Sequence, residues 1–173
     1  MEDVKLAIFE TICATLNEAK VRYLVAGGLA VNAHGYLRLT YDVDLVIQLE
    51  RKNILAAFDA LAKVGYKPTV PVTALQFADI KQRNDWIRNK HMQVLNFHNA
   101  KHQLMPVDVF VTEPFDFSRE YKLAIRGKLT PDLPVRFVSI STLIKMKKLA
   151  NRPKDLDDIE HLRELMKEKR REK

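Results

Sequence analysis

Two aspartates, Asp42 and Asp44, stand one residue apart at the head of an apolar run, DVDLVIQL. A carboxylate beside a core is costly unless it is paired, hydrogen-bonded or bound to a cation. Any fold this chain adopts must therefore bring a partner to these acids. On a strand, residues i and i+2 project to one face, so Asp42 and Asp44 point together while Val43 turns to the core. Two carboxylates so placed suit a hard divalent cation such as Mg²⁺, which takes oxygen ligands. A third acid, Asp108, interrupts a second apolar segment, MPVDVFVT. Acids converging from two strands have the make-up of a clamp for two metals about 3.5–4 Å apart.

Upstream, RYLVAGG reads as a short strand running into Gly27 and Gly28, with a brief helix over Leu29 to His34. A strand that ends in glycines and opens a helix leaves backbone N–H groups and a positive helix end free to cradle phosphate. An amphipathic helix is expected over 3–19, where Val4, Ile8, Ile12 and Leu16 recur at helical spacing. A second helix begins at Arg51 and stops near Gly65. HMQVLNFH and PVDVFVT read as adjacent strands, and VRFVSI as a further short one. STLIKMKKLA reads as a helix capped by Ser141, and Pro153 opens the last helix. Residues 71–90 are mixed in pattern, and 66–100 carry no motif. This alternation implies an α/β (or α+β) fold with a mixed sheet. Length suits a single domain over 1–173, with a C-terminal helical element at about 141–170.

Hydrophobic residues make up 47% of the chain, enough for a real core. No apolar run approaches the ~20 residues of a membrane span, and the acidic, amphipathic N-terminus is unlike a signal peptide. A single cysteine, Cys13, lies on the apolar face of the first helix, which fits a buried thiol in a reducing cytoplasm. Net charge is +7, and the last eleven residues, RELMKEKRREK, hold six basic and three acidic side chains. That end is either a solvated helix terminus or a contact for a polyanion such as tRNA. The five histidines lack metal-ligand spacing. His34 reads as a polar surface residue and Trp86 as a packing residue. No Ser-His-Asp order or nucleophile elbow supports a hydrolase.

Gly-Gly, 13 intervening residues, Asp-x-Asp, an apolar strand and a third acid form an order that resembles the nucleotidyltransferase superfamily with the polymerase-β-like catalytic fold. Within it, GGLAVNAHGYLRLTYDVDLVI is similar to the Gly-Gly-x-Ala, Arg-x-Thr and Asp-x-Asp run of the minimal bacterial and archaeal nucleotidyltransferases, including the AbiEii-like toxin group. LIKMKKLANRPKDLDDIEHL resembles their C-terminal Lys, Arg and Lys-Asp-x-x-Asp element. The likeness runs from about Tyr23 to Leu162. It implies a mixed sheet flanked by helices and followed by C-terminal helices. It assigns Asp42, Asp44 and Asp108 to metal binding and catalysis, with Asp108 deprotonating or orienting the attacking hydroxyl. Gly27 and Gly28 would hold nucleotide phosphates through backbone amides. Arg38 and Thr40 would contact phosphate or lock the loop. Lys147 and Arg152 would approach the triphosphate, where cations offset its charge. Asp155, Asp157 and Asp158 read as charges favouring a helix N-terminus.

The implied activity is a Mg²⁺-dependent nucleotidyl transfer, with two Mg²⁺ ions and Mn²⁺ as a substitute. An NMP unit would pass from an NTP such as ATP to an acceptor hydroxyl, with release of pyrophosphate. The acceptor stays open among an RNA 3′ end (tRNA included), a protein side chain and a small molecule such as an antibiotic. The toxin likeness adds a toxin–antitoxin role, with a cognate antitoxin as partner. One alternative is an inactive transferase fold that binds RNA or a protein partner; the retained acids argue against it. Another is a metal-dependent glycosyltransferase, in which the apolar strand precedes Asp-x-Asp; here it follows.

Overall fold

A computed structural model describes residues 2–103 and 105–171. Its strands are β1 (Tyr23–Val25), β2 (Val43–Ile47), β3 (Lys67–Pro68), β4 (Val94–His98), β5 (Val107–Phe110), β6 (Ile125–Thr130) and β7 (Leu133–Phe137). They form one mixed sheet in the order β3-β4-β5-β2-β1-β7-β6. The expected α/β class with a mixed sheet and C-terminal helices is the observed one. β2 runs antiparallel to β1 and parallel to β5, in a register that pairs Asp44 with Asp108. β4 lies antiparallel to β5 and sets Asn96 opposite Asp108. One row of side chains, Asp44, Asp108 and Asn96, thus crosses three neighbouring strands.

The helices are α1 (Glu2–Glu18), α2 (Gly27–His34), α3 (Arg51–Lys63), α4 (Ala74–Ala78), α5 (Ile80–Lys90), α6 (Phe117–Leu123), α7 (Ile140–Ala150) and α8 (Pro153–Arg171). α1 buries Ile8, Ile12, Cys13 and Leu16, as its spacing predicts, while Val4 of the same spacing is exposed at the helix start, and it packs on α3 and β7. Burial pushes the Cys13 thiol up to about 12, which leaves it inert at neutral pH. α2, α7 and α8 pack against one another at the site's end of the sheet. Among the described residues no helix is long and apolar enough to cross a membrane.

Several expectations need correction. α2 opens at Gly27, two residues earlier than the apolar pattern suggests: the Ala30 N–H already donates to the Ala26 carbonyl at 3.2 Å, and Gly27 makes the turn into the helix with a left-handed φ of 58°. The mixed stretch 71–90 resolves into α4, with a Thr73/Gln76 capping box, and α5, capped by Asp79 and ended by His91 in the left-handed region. α6 and β6 were not expected at all. Ser139, not Ser141, caps α7, its hydroxyl accepting from the Thr142 N–H at 3.5 Å. His34 is buried rather than on the surface, its Nε2 2.7 Å from the Val138 carbonyl, and burial lowers its pKa. Trp86 packs in the core beside Phe77, as expected.

Candidate active site

β2 is buried along its length except at Asp44, which its register sets toward a cleft instead of the core. Asp42 precedes the strand on the same face, and Asp108 arrives from β5. Each of the three offers a carboxylate oxygen, and these atoms lie within 4.8 Å of one another. The Thr40 hydroxyl donates to Asp42 Oδ1 at 3.1 Å, and the Asn96 amide donates to Asp108 Oδ1 at 2.5 Å. Asp42 and Asp108 are therefore aimed by neighbours rather than left to swing.

Their electrostatics are unfavourable without a counter-charge. Burial, then the charges of Asp42 and Asp108, push the Asp44 carboxyl from 3.8 to about 7. Burial also raises Asp108, against the lowering effect of the Asn96 hydrogen bond. A set of only hard oxygen donors at this spacing could hold a divalent metal. The backbone allows for the crowding. A side chain at Gly27 would overlap the Asp44 carboxylate, and one at Gly28 would run into the Thr40 hydroxyl.

Facing the acids is a chain of ion pairs. Arg38 Nε lies 2.7 Å from Asp158 Oδ1, and Lys147 Nζ lies 2.6 Å from Asp158 Oδ2 and 3.3 Å from Asp155 Oδ1. Arg152 Nε lies 2.8 Å from Asp155 Oδ2, which also accepts from the Arg152 backbone N–H. Burial alone would raise the Asp155 carboxyl; the Arg152 hydrogen bonds and the Lys147 ammonium outweigh it and hold it below its ordinary value. Asp155 and Asp158 are fully buried and Lys147 nearly so, while Arg152 is exposed. Asp155 and Asp158 thus do more than decorate a helix start: spaced i, i+3 on α8, they share one face and hold Lys147 between them. Asp157 instead accepts from the exposed Tyr36 hydroxyl at 2.6 Å.

A cleft of about 530 Å³ joins these parts. Gly27, Gly28, Arg38, Asp42, Asp44, Asp108, Lys147 and Arg152 all line it. Thr40 alone of the expected residues lies behind the surface, supporting Asp42. On the β4–β5 side of the acids the lining turns apolar, with Met92, Val94 and Phe110, and α7 adds Met146. Sequence reasoning missed this wall and missed Asn96.

A sequence profile described as aminoglycoside-2''-adenylyltransferase matches residues 8–140. The chain belongs to that family. It is a nucleotidyltransferase, as its order of glycines and acids implied. Three solved structures share the fold. The solution structure of the antibiotic-resistance factor ANT(2'')-Ia is 15% identical, covering 98% of this chain and 94% of that one, at a TM-score of 0.57. The lincomycin-bound lincosamide antibiotic adenylyltransferase LnuA is 13% identical, covering 93% and 96%, at 0.60. An antigenic nucleotidyltransferase-like protein from Paracoccidioides brasiliensis is 19% identical, covering 91% and 74%, at 0.53. No curated protein matches the chain in sequence. For this member of the adenylyltransferase family, the broader nucleotidyltransferase identification stands, and the narrower AbiEii-like grouping has no counterpart among these matches.

Proposed function

We propose that this protein is a Mg²⁺-dependent adenylyltransferase that moves AMP from ATP to a hydroxyl of a small-molecule acceptor. The observation that carries the proposal is the acid trio, three carboxylates within 4.8 Å, set beside the Gly27–Gly28 turn in a chain of the adenylyltransferase family. When bound, Mg²⁺ ions supply Lewis-acid neutralisation of charge on the phosphates and on the departing pyrophosphate. Asp42, Asp44 and Asp108 would hold them, with Mn²⁺ as a substitute.

The chain's own residues divide the remaining work. Backbone N–H groups at Gly27 and Gly28 bind phosphate oxygens at the positive end of α2. Arg38 and Arg152 approach the triphosphate with charge-assisted donors. Lys147 adds positive potential while its ammonium stays engaged with Asp155 and Asp158. Thr40 keeps Asp42 in place. Asp108 orients the acceptor hydroxyl and takes its proton as the oxygen bonds to the α-phosphorus and the bond to pyrophosphate breaks. Residues 1–173 act as one domain, with the C-terminal helices closing the nucleotide side. The compartment assigned is the cytoplasm, where Cys13 stays a thiol.

Asp108→Asn tests the division of roles. It should bind Mg²⁺–ATP almost normally and lose ~10²–10⁴-fold in turnover, the usual range for a general base. A variant that turns over at the wild-type rate once ATP saturates would reassign Asp108 to nucleotide positioning. One observation favours a second acceptor, RNA, in a toxin of the AbiEii-like kind with a cognate antitoxin. The exposed end of α8 presents Lys167, Lys169, Arg170 and Arg171; Glu172 and Lys173 of the same basic tail lie outside the described residues.

A further inference from the structure

Between Gly35, which takes a left-handed φ of 118°, and Val43, which opens β2, the chain runs as an irregular strap. Its side chains alternate: Tyr36, Arg38, Thr40 and Asp42 are half-buried, while Leu37, Leu39 and Tyr41 are 80%, 67% and 61% exposed. Apolar burial therefore does little to fix the strap. Among the described residues no backbone–backbone hydrogen bond holds positions 36–42. Polar side chains hold them instead, and the firmest grip comes from Asn32 of α2. Its Nδ2–H donates to the Arg38 carbonyl at 2.9 Å, and its Oδ1 accepts the Arg38 N–H at 3.0 Å. One carboxamide thus satisfies both backbone groups of one residue, as a neighbouring strand would. A carboxamide carries the donor and the acceptor this needs; a carboxylate carries only acceptors.

We propose that Asn32 is a positioning residue for nucleotidyl transfer, which sets the Arg38 guanidinium against the triphosphate. The inference rests on the nucleotidyl-transfer reading and adds a residue that does not itself line the cleft. Asn32 lies on the helix whose first residues, Gly27 and Gly28, form the phosphate-binding turn. A side chain at Gly28 would come within 3.1 Å of Arg38 Nη2, so the guanidinium already lies beside that turn. Clamping the Arg38 backbone to α2 makes the cation and the turn one body. Asp158 takes Arg38 Nε and the Leu39 carbonyl takes Nη1, which leaves Nη2 for a phosphate oxygen. Asn32 makes and breaks no covalent bond; it spares the ordering cost of bringing a free arginine to the ligand.

The test titrates the full chain with Mg²⁺ and a fluorescent, non-transferable analogue of ATP. Asn32→Ala should weaken binding about tenfold, the low end for a lost hydrogen bond to a charged group, and Arg38→Ala at least as much. With both changes together, the loss should match that of Arg38→Ala within about twofold, because Asn32 acts through Arg38. Binding by Asn32→Ala within about twofold of the wild type overturns the proposal. So does a further loss of about tenfold when Asn32→Ala is added to Arg38→Ala, the mark of a residue that only supports the fold. Should Asn32→Ala fail to fold, Asn32→Asp takes its place in the same cycle. It keeps the acceptor, loses the donor and should weaken binding at least about threefold. Failure of the wild type to bind the analogue would sink the nucleotidyl-transfer reading and the Asn32 role with it. Normal wild-type binding beside an unchanged variant sinks the Asn32 role alone.

Discussion

Asp44→Asn, made in the metal-free protein, should stabilise the fold, and the gain should depend on pH. Burial and two neighbouring carboxylates raise Asp44 from 3.8 to about 7. Its carboxyl is thus more acidic in the unfolded chain than in the folded one. Stability from the protonated form is fully present below the unfolded value and is lost as pH rises toward and through 7. At 1.36 kcal/mol per pKa unit, a rise from 3.8 to about 7 sets a ceiling of about 4 kcal/mol. Partial solvent access and relaxation of Asp42 and Asp108 reduce this, and about 2 kcal/mol is expected in practice. Asparagine mimics the neutral carboxyl, so urea denaturation in chelator should show its advantage growing between pH 4 and 7 and levelling off above (the window set by these two values). Excess Mg²⁺ should stabilise the wild type and leave the variant unmoved. An advantage that is flat with pH, or a Mg²⁺ effect equal in both proteins, would refute strain among the acids as the reason for a cation site.

Gly27→Ala must place a side chain at a φ of 58° and against the Asp44 carboxylate; we expect a loss of about 1–2 kcal/mol from the backbone alone and a clear fall in Mn²⁺ affinity by calorimetry. Lys147→Met leaves Asp155 and Asp158 buried without their shared cation and should cost about 3–5 kcal/mol in urea denaturation, with Asp155 titrating closer to neutral pH by NMR. Removing residues 167–173 should leave folding and Mg²⁺–ATP binding intact, since the described part of that stretch is exposed. If the acceptor is RNA, each lost phosphate contact takes about 0.7–0.9 from the salt slope of RNA binding; with a small-molecule acceptor, kinetics stay unchanged at any salt.

The acids were legible because strand periodicity is local: Asp42, Val43 and Asp44 declare their faces without any knowledge of a partner strand. That Asp108 joins them also followed, since an acid inside an apolar strand needs company. Asn96 could not be found this way. Its role depends on the β4–β5 register, which aligns it with Asp108, and nothing in HMQVLNFH distinguishes it from a solvent-facing polar residue. Asp158 failed for a related reason: its partner Arg38 is distant in sequence, and helix-start charge is the ordinary explanation for an acid at that position. The stretch 71–90 was opaque because it holds two short helices, α4 of five residues and α5 of eleven, with Asp79 closing one and capping the other. At those lengths capping, not periodicity, decides the structure.

The ion-pair chain from Arg38 to Arg152 also bears on biosynthesis. The carboxylates at 42, 44 and 108 leave the ribosome before Lys147, Arg152 and the two buried aspartates that anchor them. A nascent chain can pair β2 with β5 early, yet its most crowded negative charge has Arg38 alone as a nearby counterweight until α7 and α8 are in place. Docking joins Arg38 to Asp158 across most of the chain, a long-range closure that forms late. Products that stop short of α7 would therefore carry the acid cluster without Lys147 and Arg152 opposite it, so synthesis through α7 and α8 is itself the step that arms the site.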